Sequence, residues 1–320
     1  MKAVIQTQYG GPETLRLADV PVPVPRKNQV RLKVSACAVN LSDWEYLIGA
    51  PLYARLVGGL FRPKKLVLGS DIVGVVDAWG PGATEFSIGD RVMGDFVMVR
   101  GGFAQYACVD TADLAQVPDD LSDEVAACLP QAGGIAVAGT EGLKPGDRLL
   151  ITGAGGGSGT IAIQLAKAMG AHVTAVDNAG KIDWLKSLGA DEVIDYQVLD
   201  FAESGQQWDR ILDMVATRGP GRISKALSTG GVYKAVGGNV SVLLALVFGG
   251  LRFRFQKKSV GMLIVPTGRA LTERVARLTV VGRITPHVEA VLPLSSVSEA
   301  LRRTGLGEVK GKLVIRPWAT

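Results

Sequence analysis

The amino-acid sequence predicts an α/β fold in which a doubly wound parallel sheet is joined to a second, β-rich domain. From residue 148 onward, apolar strand-like runs alternate with amphipathic helix-like segments, a pattern typical of a parallel sheet covered by helices on both faces. Residues 1–122 instead contain short strand-like runs separated by turns rich in glycine and proline. The length of 320 residues is enough for about two domains.

In the β-rich part, the clearest predicted strands are 30–39 and 71–78. Turn-forming residues stand between such runs, and Gly89–Val92 is typical of a tight turn that leads into a further strand. Helical character begins where Ser122 and Glu124 precede an alanine-rich segment. We therefore expect the first 122 residues to be mostly β.

The second part of the chain alternates strands and helices. Its predicted strands are 148–152, 171–176, 192–195, 209–215, 231–236 and 259–265. Its predicted helices are 158–169, 180–188 and 220–228, followed by an amphipathic helix at 269–281 and then short strand-like pieces that end with 312–316. Because consecutive strands are connected through helices, we expect them to lie parallel.

Composition excludes several classes of protein. Hydrophobic residues make up 47% and charged residues 20% of the chain, which is typical of a well-packed protein and not of a disordered one. The longest apolar run, 240–251, is far shorter than the roughly 20 residues that cross a bilayer. Gln6, Gln8 and Gly10 interrupt the N-terminal segment, so it has no signal-peptide core. Since the three cysteines form no CxxC pair either, we expect a cytoplasmic protein without a membrane span.

The most specific motif is the segment from Leu149 to Asp177, LLITGAGGGSGTIAIQLAKAMGAHVTAVD. An apolar strand ends in a glycine-rich turn, an amphipathic helix follows, and a second strand ends on an acid eighteen residues after Gly159. Glycines permit a tight turn and close packing, and free amides at the helix start face a pyrophosphate. The motif predicts dinucleotide binding, although a purely structural turn contains the same glycines. The predicted phosphate-binding residues are Ala154 (in place of the first glycine of the fingerprint), Gly156, Gly157, Ser158 and Gly159.

Segments spread over almost the whole chain resemble a known family. They are KAVIQTQYGGPETLRL, VNLSDW, LGSDIVGVVDAWG, FSIGDRVMG, GGFAQYACV, SLGADEVIDY and GKLVIRP. Together with the glycine turn, they are similar to the medium-chain dehydrogenase/reductase superfamily, in its zinc-free quinone-oxidoreductase-like branch and nearest to the reticulon-4-interacting-protein type. The resemblance implies a GroES-like β domain at 1–122, completed by 268–320, and a Rossmann dinucleotide-binding domain at 123–267.

Asp177 and Lys181 give opposite indications about the cofactor. A carboxylate at the end of the second strand accepts both hydroxyls of the adenosine ribose and repels a 2′-phosphate, which favours NAD(H). Lys181 resembles the phosphate-binding lysine of NADPH-using quinone reductases, but an ordinary solvated helix residue would look the same. Tyr196 matches the family tyrosine beside the adenosine. We expect NAD(H) or NADP(H), with the balance narrowly toward NAD(H).

The resemblance places the metal-binding positions of zinc-dependent relatives at Asn40, Ser70 and about Gln131. None of these residues is a thiolate or an imidazole, which are the usual zinc ligands together with carboxylates. Cys37 and Cys128 lie near these positions but not on them. We therefore expect no catalytic zinc. Without a Lewis acid, hydride transfer to an acceptor that is already activated is more feasible than oxidation of a simple alcohol.

Candidate residues for the reacting end are few. By resemblance, Asn40 lies near the nicotinamide ribose. Asp43 follows on the same segment, but it is more typical of a helix-capping or turn residue. Tyr46 and Tyr53 are candidate donors to the substrate, with half-buried packing as the alternative. The remaining candidates for the nicotinamide end of the cofactor site are Val215, Gly237 and Gly238.

The segment 240–258 leaves two interpretations open. Its apolar residues are compatible with a wall over the substrate and equally with a helix in a dimer interface; they are Leu243, Leu244, Leu246, Val247 and Phe248. Its basic strip is compatible with surface beside the cofactor phosphates and with a thioester-linked or anionic substrate; it consists of Arg252, Arg254, Lys257 and Lys258.

These observations predict an NAD(P)H-dependent, zinc-independent reductase that acts on an activated C=C bond or a quinone. We expect a homodimer with a small-molecule substrate and no membrane partner. One alternative is a tailoring enzyme of the same fold that catalyses a redox-neutral cyclisation or isomerisation. The other is a dinucleotide- and nucleic-acid-binding protein of zeta-crystallin type. The basic C-terminal third is compatible with that alternative, but the chain contains no recognisable nucleic-acid-binding motif, so we do not expect a nucleic-acid partner.

Overall fold

The strands and helices of the protein follow the predicted order in a computed structural model, which describes residues 1–242, 244–245, 253 and 257–319. The strands are β1 (Lys2–Ile5), β2 (Arg16–Asp19), β3 (Gln29–Ala38), β4 (Asp71–Trp79), β5 (Arg91–Asp95), β6 (Tyr106–Asp110), β7 (Ala115–Gln116), β8 (Arg148–Thr152), β9 (His172–Asp177), β10 (Glu192–Asp195), β11 (Trp208–Asp213), β12 (Leu227–Ala235), β13 (Ser259–Met262), β14 (Val288–Pro293) and β15 (Lys312–Arg316). The helices are α1 (Leu41–Ile48), α2 (Leu52–Gly58), α3 (Asp123–Ala127), α4 (Pro130–Thr140), α5 (Gly157–Ala168), α6 (Ile182–Ser187), α7 (Pro220–Ala226), α8 (Arg269–Val280) and α9 (Val297–Gly305).

The chain divides into two units. Unit one comprises Met1–Gly134, Pro266–Gly282 and Pro286–Thr320, and unit two comprises Ile135–Val265 and Arg283–Thr285. The C-terminal segment therefore returns to the unit formed by the N-terminal residues.

Unit one is built on a sheet with the strand order β14-β15-β3-β4-β5-β7, and β6 also pairs with β3. Neighbouring strands are antiparallel except β14 and β15, which are parallel. Val30, Leu32 and Val34 alternate with more exposed residues along β3, which is the period of a strand with one face in the core. Their core neighbours include Ile72 and Leu313.

Unit two contains a six-stranded sheet with the order β10-β9-β8-β11-β12-β13. All of its strand pairs are parallel, as the alternation of strands and helices predicted. The chain order reverses between β8 and β11, so the carboxyl ends of these two strands form the switch point at which doubly wound sheets bind ligands. Trp208 is fully buried in the core of this unit, and its indole N–H donates to Thr174 Oγ1 at 3.0 Å.

Most predicted elements agree with the structure within two residues, but several differ. The strand predicted from 231 begins at Leu227, and α9 lies where only short strand-like pieces were predicted. The mostly β first part contains α1 and α2, which the sequence analysis missed. The helix predicted at 220–228 ends at Ala226, because Leu227 already begins the next strand. The strand predicted at 259–265 ends at Met262, although the Leu263 N–H still donates to the Ala235 carbonyl at 2.8 Å.

Part of the segment 240–258 carries no structural description. The interpretations placed on it concern residues outside the described ranges, namely Leu243, Leu246, Val247, Phe248, Arg252 and Arg254. Leu244 is described and is 52% exposed. Lys258 is also described, and its ammonium donates to the backbone carbonyl of Ser224 at 2.6 Å. In the ranges that the structure covers, no helix is both long enough and apolar enough to cross a bilayer.

Candidate functional site

The glycine turn lies at the carboxyl end of β8, beside the switch point. Gly153 adopts a left-handed conformation (φ +62°), which glycine reaches without steric cost. The turn closes when the Gly156 N–H donates to the Gly153 carbonyl at 3.1 Å. α5 then begins at Gly157, with Gly156 as its N-cap residue.

The glycines of this turn divide into two kinds. Ala154 and Gly159 are buried, and a Cβ on Gly159 would lie 2.5 Å from the Ala154 carbonyl oxygen, so Gly159 is required by packing. A Cβ on Gly156 would meet the Gly153 oxygen at 3.4 Å, an ordinary contact, so packing alone does not explain a glycine there.

The first turn of α5 offers backbone amides to an anion. Gly157, Ser158 and Gly159 are the first three helical residues, whose N–H groups have no acceptor within a helix. Gly157 and Ser158 are partly exposed, and the helix dipole favours negative charge at this end. The first turn of α5 therefore offers free amides and a favourable helix dipole to an anionic group such as the diphosphate of a dinucleotide.

Asp177 and Lys181, which gave opposite indications about the cofactor, form a buried ion pair. Asp177 ends β9, and its Oδ1 lies 3.2 Å from the Lys181 Nζ. The same carboxylate accepts hydrogen bonds from the Gly155 N–H at 2.8 Å and from the Asn178 N–H at 2.9 Å. Both side chains are at most 7% exposed. The pair thus connects the glycine turn to the end of the neighbouring strand.

Asp213 organises the other side of the switch point, and the sequence analysis missed it. Its buried carboxylate accepts four hydrogen bonds, from the Thr152 hydroxyl (2.6 Å), the Tyr233 hydroxyl (2.8 Å) and the N–H groups of Val215 (3.1 Å) and Ala216 (2.7 Å). Burial and then the neighbouring carboxylate raise the pKa of Tyr233 far above its ordinary value, so its hydroxyl remains a donor. The network fixes the loop that follows β11. An acid at the end of a buried strand was the available signal.

The other residues predicted around the cofactor lie at the carboxyl edge of the same sheet. Tyr196 follows β10 and Val215 follows β11, and they are 50% and 47% exposed. Gly237 and Gly238 both have positive φ. A Cβ on Gly238 would lie 2.4 Å from the Ala216 Cβ, so packing against the β11 loop explains this glycine without a ligand.

In unit one, the structure brings together the positions that the resemblance assigns to metal ligands in zinc-dependent relatives. The Asn40 amide Nδ2 donates to the Ser70 hydroxyl at 3.1 Å. The Gln131 N–H donates to Asp71 Oδ1 at 3.2 Å. The Lys312 ammonium donates to Asn40 Oδ1 and lies 3.8 Å from Asp71 Oδ2. We call these five residues the polar cluster.

The polar cluster does not fit zinc. Its possible ligands are two amides, a hydroxyl and one carboxylate, and an ammonium already lies among them and would repel a divalent cation. Cys37 and Cys128 are buried, and burial raises the pKa of both thiols, that of Cys128 to about 12. Their Sγ atoms donate to the backbone carbonyls of Ala38 and Glu124 and not to residues of the polar cluster. Among the described residues, no group of three or more His, Cys, Asp or Glu side chains is arranged to hold a metal.

Asp43 is a fully buried residue of the first turn of α1. Its Oδ2 accepts the Asn40 N–H at 3.1 Å, and its Oδ1 accepts the Gly69 N–H at 3.1 Å and Arg100 Nη1 at 2.5 Å. Burial raises the pKa of Asp43, while Arg100 opposes the rise. Asp43 therefore caps the helix and forms an ion pair with Arg100, a residue that the sequence analysis missed.

Both candidate tyrosines contact charged side chains. The guanidinium carbon of Arg100 lies 3.6 Å from the centre of the Tyr46 ring, a cation–π contact. The Tyr53 hydroxyl donates to Glu45 Oε1 at 3.1 Å, and burial raises the pKa of Glu45. Asn40, Asp43 and Tyr46 are all less than 10% exposed. The structure thus gives these predicted catalytic residues internal partners.

Comparisons with known proteins agree with this architecture. Residues 26–119 match the family described as alcohol dehydrogenase GroES-like domain, and residues 188–315 match the family described as zinc-binding dehydrogenase. The 2-methylene-furan-3-one reductase of Solanum lycopersicum is 32% identical over 332 residues, covering 99% of this chain and 79% of the relative. The structure of a quinone oxidoreductase from Coxiella burnetii has a TM-score of 0.87 at 28% identity, over 99% of both chains. A mycobacterial protein in complex with NADPH has a TM-score of 0.83 at 26% identity, covering 99% of this chain and 100% of the other.

Proposed function

The chain belongs to the medium-chain dehydrogenase/reductase superfamily and is an oxidoreductase with a GroES-like and a Rossmann-like part, and from that premise we propose that it is an NAD(P)H-dependent, zinc-independent reductase of an activated C=C bond or a quinone. The proposal rests on the presence of two features in one chain: a glycine turn whose amides suit a diphosphate, and a polar cluster that does not suit zinc. The tomato relative is named as a furanone reductase and the Coxiella structure as a quinone oxidoreductase, which supports this substrate class.

Unit two supplies the residues that would hold the cofactor. The amides of Gly157, Ser158 and Gly159 would bind the diphosphate, and Asp177 would bind the adenosine ribose. The bound nicotinamide supplies a hydride. The Asp213 network would keep the loop at Val215 in place, because four hydrogen bonds to one buried carboxylate leave it little freedom.

The acceptor must already be activated, because the polar cluster provides no Lewis acid for a simple carbonyl. A conjugated carbonyl or a quinone meets this requirement, since it accepts hydride and delocalises the resulting charge onto oxygen. The homodimer, the cytoplasmic location and a thioester-linked or anionic substrate stay predictions.

A substrate panel tests the proposed function. Purified protein should oxidise NADH or NADPH in the presence of enones, enoyl thioesters or quinones, and it should not oxidise saturated alcohols in the reverse direction. Preincubation with a strong zinc chelator should leave the rate unchanged. A protein that reduces none of these acceptors, or that loses activity on chelation and regains it with zinc, would contradict the proposal.

We further propose that NAD(H) is preferred, because Asp177 holds Lys181. While its ammonium is paired with the buried carboxylate, Lys181 is not free for a 2′-phosphate. Replacing Asp177 with asparagine should release Lys181 and increase the ratio of kcat/KM for NADPH over NADH by about tenfold, roughly 1.4 kcal/mol. Steady-state kinetics with both cofactors measures this ratio.

A matched control is available on the next helix. Asp183 is exposed, and Asp183→Asn should leave the ratio unchanged. A wild-type enzyme with a strong preference for NADPH, or an Asp177→Asn variant with an unaltered ratio, would refute this assignment of Asp177.

A further inference from the structure

Lys312 is a buried cation that has no direct role in the proposed hydride transfer. It begins β15 in unit one, and its side chain is 7% exposed. Its ammonium donates to Asn40 Oδ1 and to the Val39 carbonyl at 3.3 Å, and it lies 3.8 Å from Asp71 Oδ2. Burying an ammonium costs free energy unless charged and polar partners surround it. The polar groups around Lys312 therefore form a binding site for a cation.

The surroundings of Lys312 are acidic. Asp71 and Asp95 are register partners on β4 and β5, and cross-strand partners share one face of a sheet. Gln131 bridges them, since its N–H donates to Asp71 Oδ1 at 3.2 Å and its Nε2 donates to Asp95 Oδ2 at 3.5 Å. The nearby Asp43 is already paired with Arg100. Lys312 therefore compensates the acidic groups on these two strands.

Asp71 is the carboxylate that depends most clearly on the positive charge of Lys312. It is fully buried, and its Oδ2 has no hydrogen-bond partner among the described residues. Lys312 is thus the positive group that faces an otherwise unsatisfied carboxylate oxygen.

We propose that Lys312 is the resident cation of the polar cluster, and that its charge positions the Asn40 amide and balances Asp71. Asn40 is held from both sides, because its oxygen accepts from Lys312 and its Nδ2 donates to Ser70 at 3.1 Å. Lys312 is a positioning residue in this account, and its effect on turnover, through Asn40, rests on the proposed function.

Chemical rescue tests the proposal. Lys312→Ala leaves a cavity lined by Asn40 Oδ1, the Val39 carbonyl and Asp71, which should lower both the melting temperature and kcat. Propylammonium should raise both again, whereas propanol, of the same size without charge, should not. In Lys312→Met the methionine side chain fills the cavity, so neither molecule should restore it. We expect kcat to fall about 10- to 100-fold, the range seen when a partner that orients a metal ligand is removed, with most of the loss recovered by propylammonium.

The outcomes separate charge from shape. Equal rescue by propanol, or full stability and activity in both variants, would overturn the proposal. If Lys312→Ala does not fold, Lys312→Arg and Lys312→Met decide: the arginine variant should melt at the higher temperature because it keeps the cation, and the reverse order would overturn the proposal. The melting temperatures need no substrate, so they test the resident cation even if the panel of acceptors shows no turnover. In that case both the proposed function and the effect of Lys312 on turnover would be contradicted.

Discussion

Gly156→Val is expected to weaken binding of the nicotinamide cofactor at least about 100-fold, roughly 2.7 kcal/mol, without unfolding the protein. The Gly156 backbone (φ −83°, ψ 173°) is extended and accessible to valine. A Cβ there would make only an ordinary contact with the Gly153 oxygen at 3.4 Å. The isopropyl group would instead occupy space in front of the free amides of α5, where the diphosphate would lie. Calorimetric titration with NADH and NADPH measures the loss.

Gly219 provides a matched control for this substitution. It is the N-cap residue of α7, its backbone (φ −69°, ψ 161°) is similar to that of Gly156, and a Cβ on it would meet nothing within 4 Å. Gly219→Val should therefore bind the cofactor like the wild type. If Gly156→Val also binds it normally while its melting temperature is unchanged, the turn is purely structural and the assigned phosphate site is wrong.

Arg100→Met is expected to lower the free energy of unfolding by about 3–5 kcal/mol at neutral pH, the usual cost of removing one partner of a buried ion pair. Both side chains of the pair are at most 1% exposed, and they approach to 2.5 Å. Without the guanidinium, the buried Asp43 carboxylate loses the cation that contacts it. Methionine retains much of the volume that packs on Tyr46, so the decrease in the free energy of unfolding mainly reflects the removal of the positive charge. Denaturant unfolding of wild type and variant measures it.

The pH dependence of this loss identifies its cause. Burial raises the pKa of folded Asp43 above its unfolded value, so the folded state binds more protons between the two values, and the contribution of Asp43 to stability falls as pH rises through them. Arg100 opposes this rise, so Arg100→Met should raise the pKa of folded Asp43 further. The destabilisation should therefore be greatest at neutral pH and shrink as acidification protonates Asp43. The exposed Arg62 is the control, and Arg62→Met should change stability by less than about 0.5 kcal/mol. A loss independent of pH would contradict the charge argument.

Unit two was predictable from sequence because its signals are local. The alternation of apolar runs and helices predicted the parallel sheet, and the order of strand, glycine turn and helix around Gly156 and Gly159 indicated the cofactor site. The acid at Asp177 was also recognised. Its ion pair with Lys181 was not predicted, because the spacing of two residues in the sequence shows neither that their side chains are buried nor that they contact each other.

Unit one was harder to predict because its chemistry depends on contacts between distant residues. Lys312 lies 272 positions from Asn40 along the chain, and Arg100 lies 57 positions from Asp43. In the sequence, Lys312 is only the first residue of a closing strand, and Arg100 lies in a glycine-rich turn. The helix α1 was missed because its eight residues are too few for a clear helical period, although Asp43 was recognised as typical of a cap.

We propose above that this protein transfers hydride from a nicotinamide to an activated acceptor, which for an enone means transfer to the β-carbon. The most direct test is turnover of an enone with reduced cofactor carrying deuterium on the transferred face of C4, followed by mass spectrometry and NMR of the product. The account predicts a saturated product with one deuterium on the β-carbon and solvent hydrogen on the α-carbon. A product without deuterium, or deuterium on the carbonyl carbon of an allylic alcohol, would contradict it.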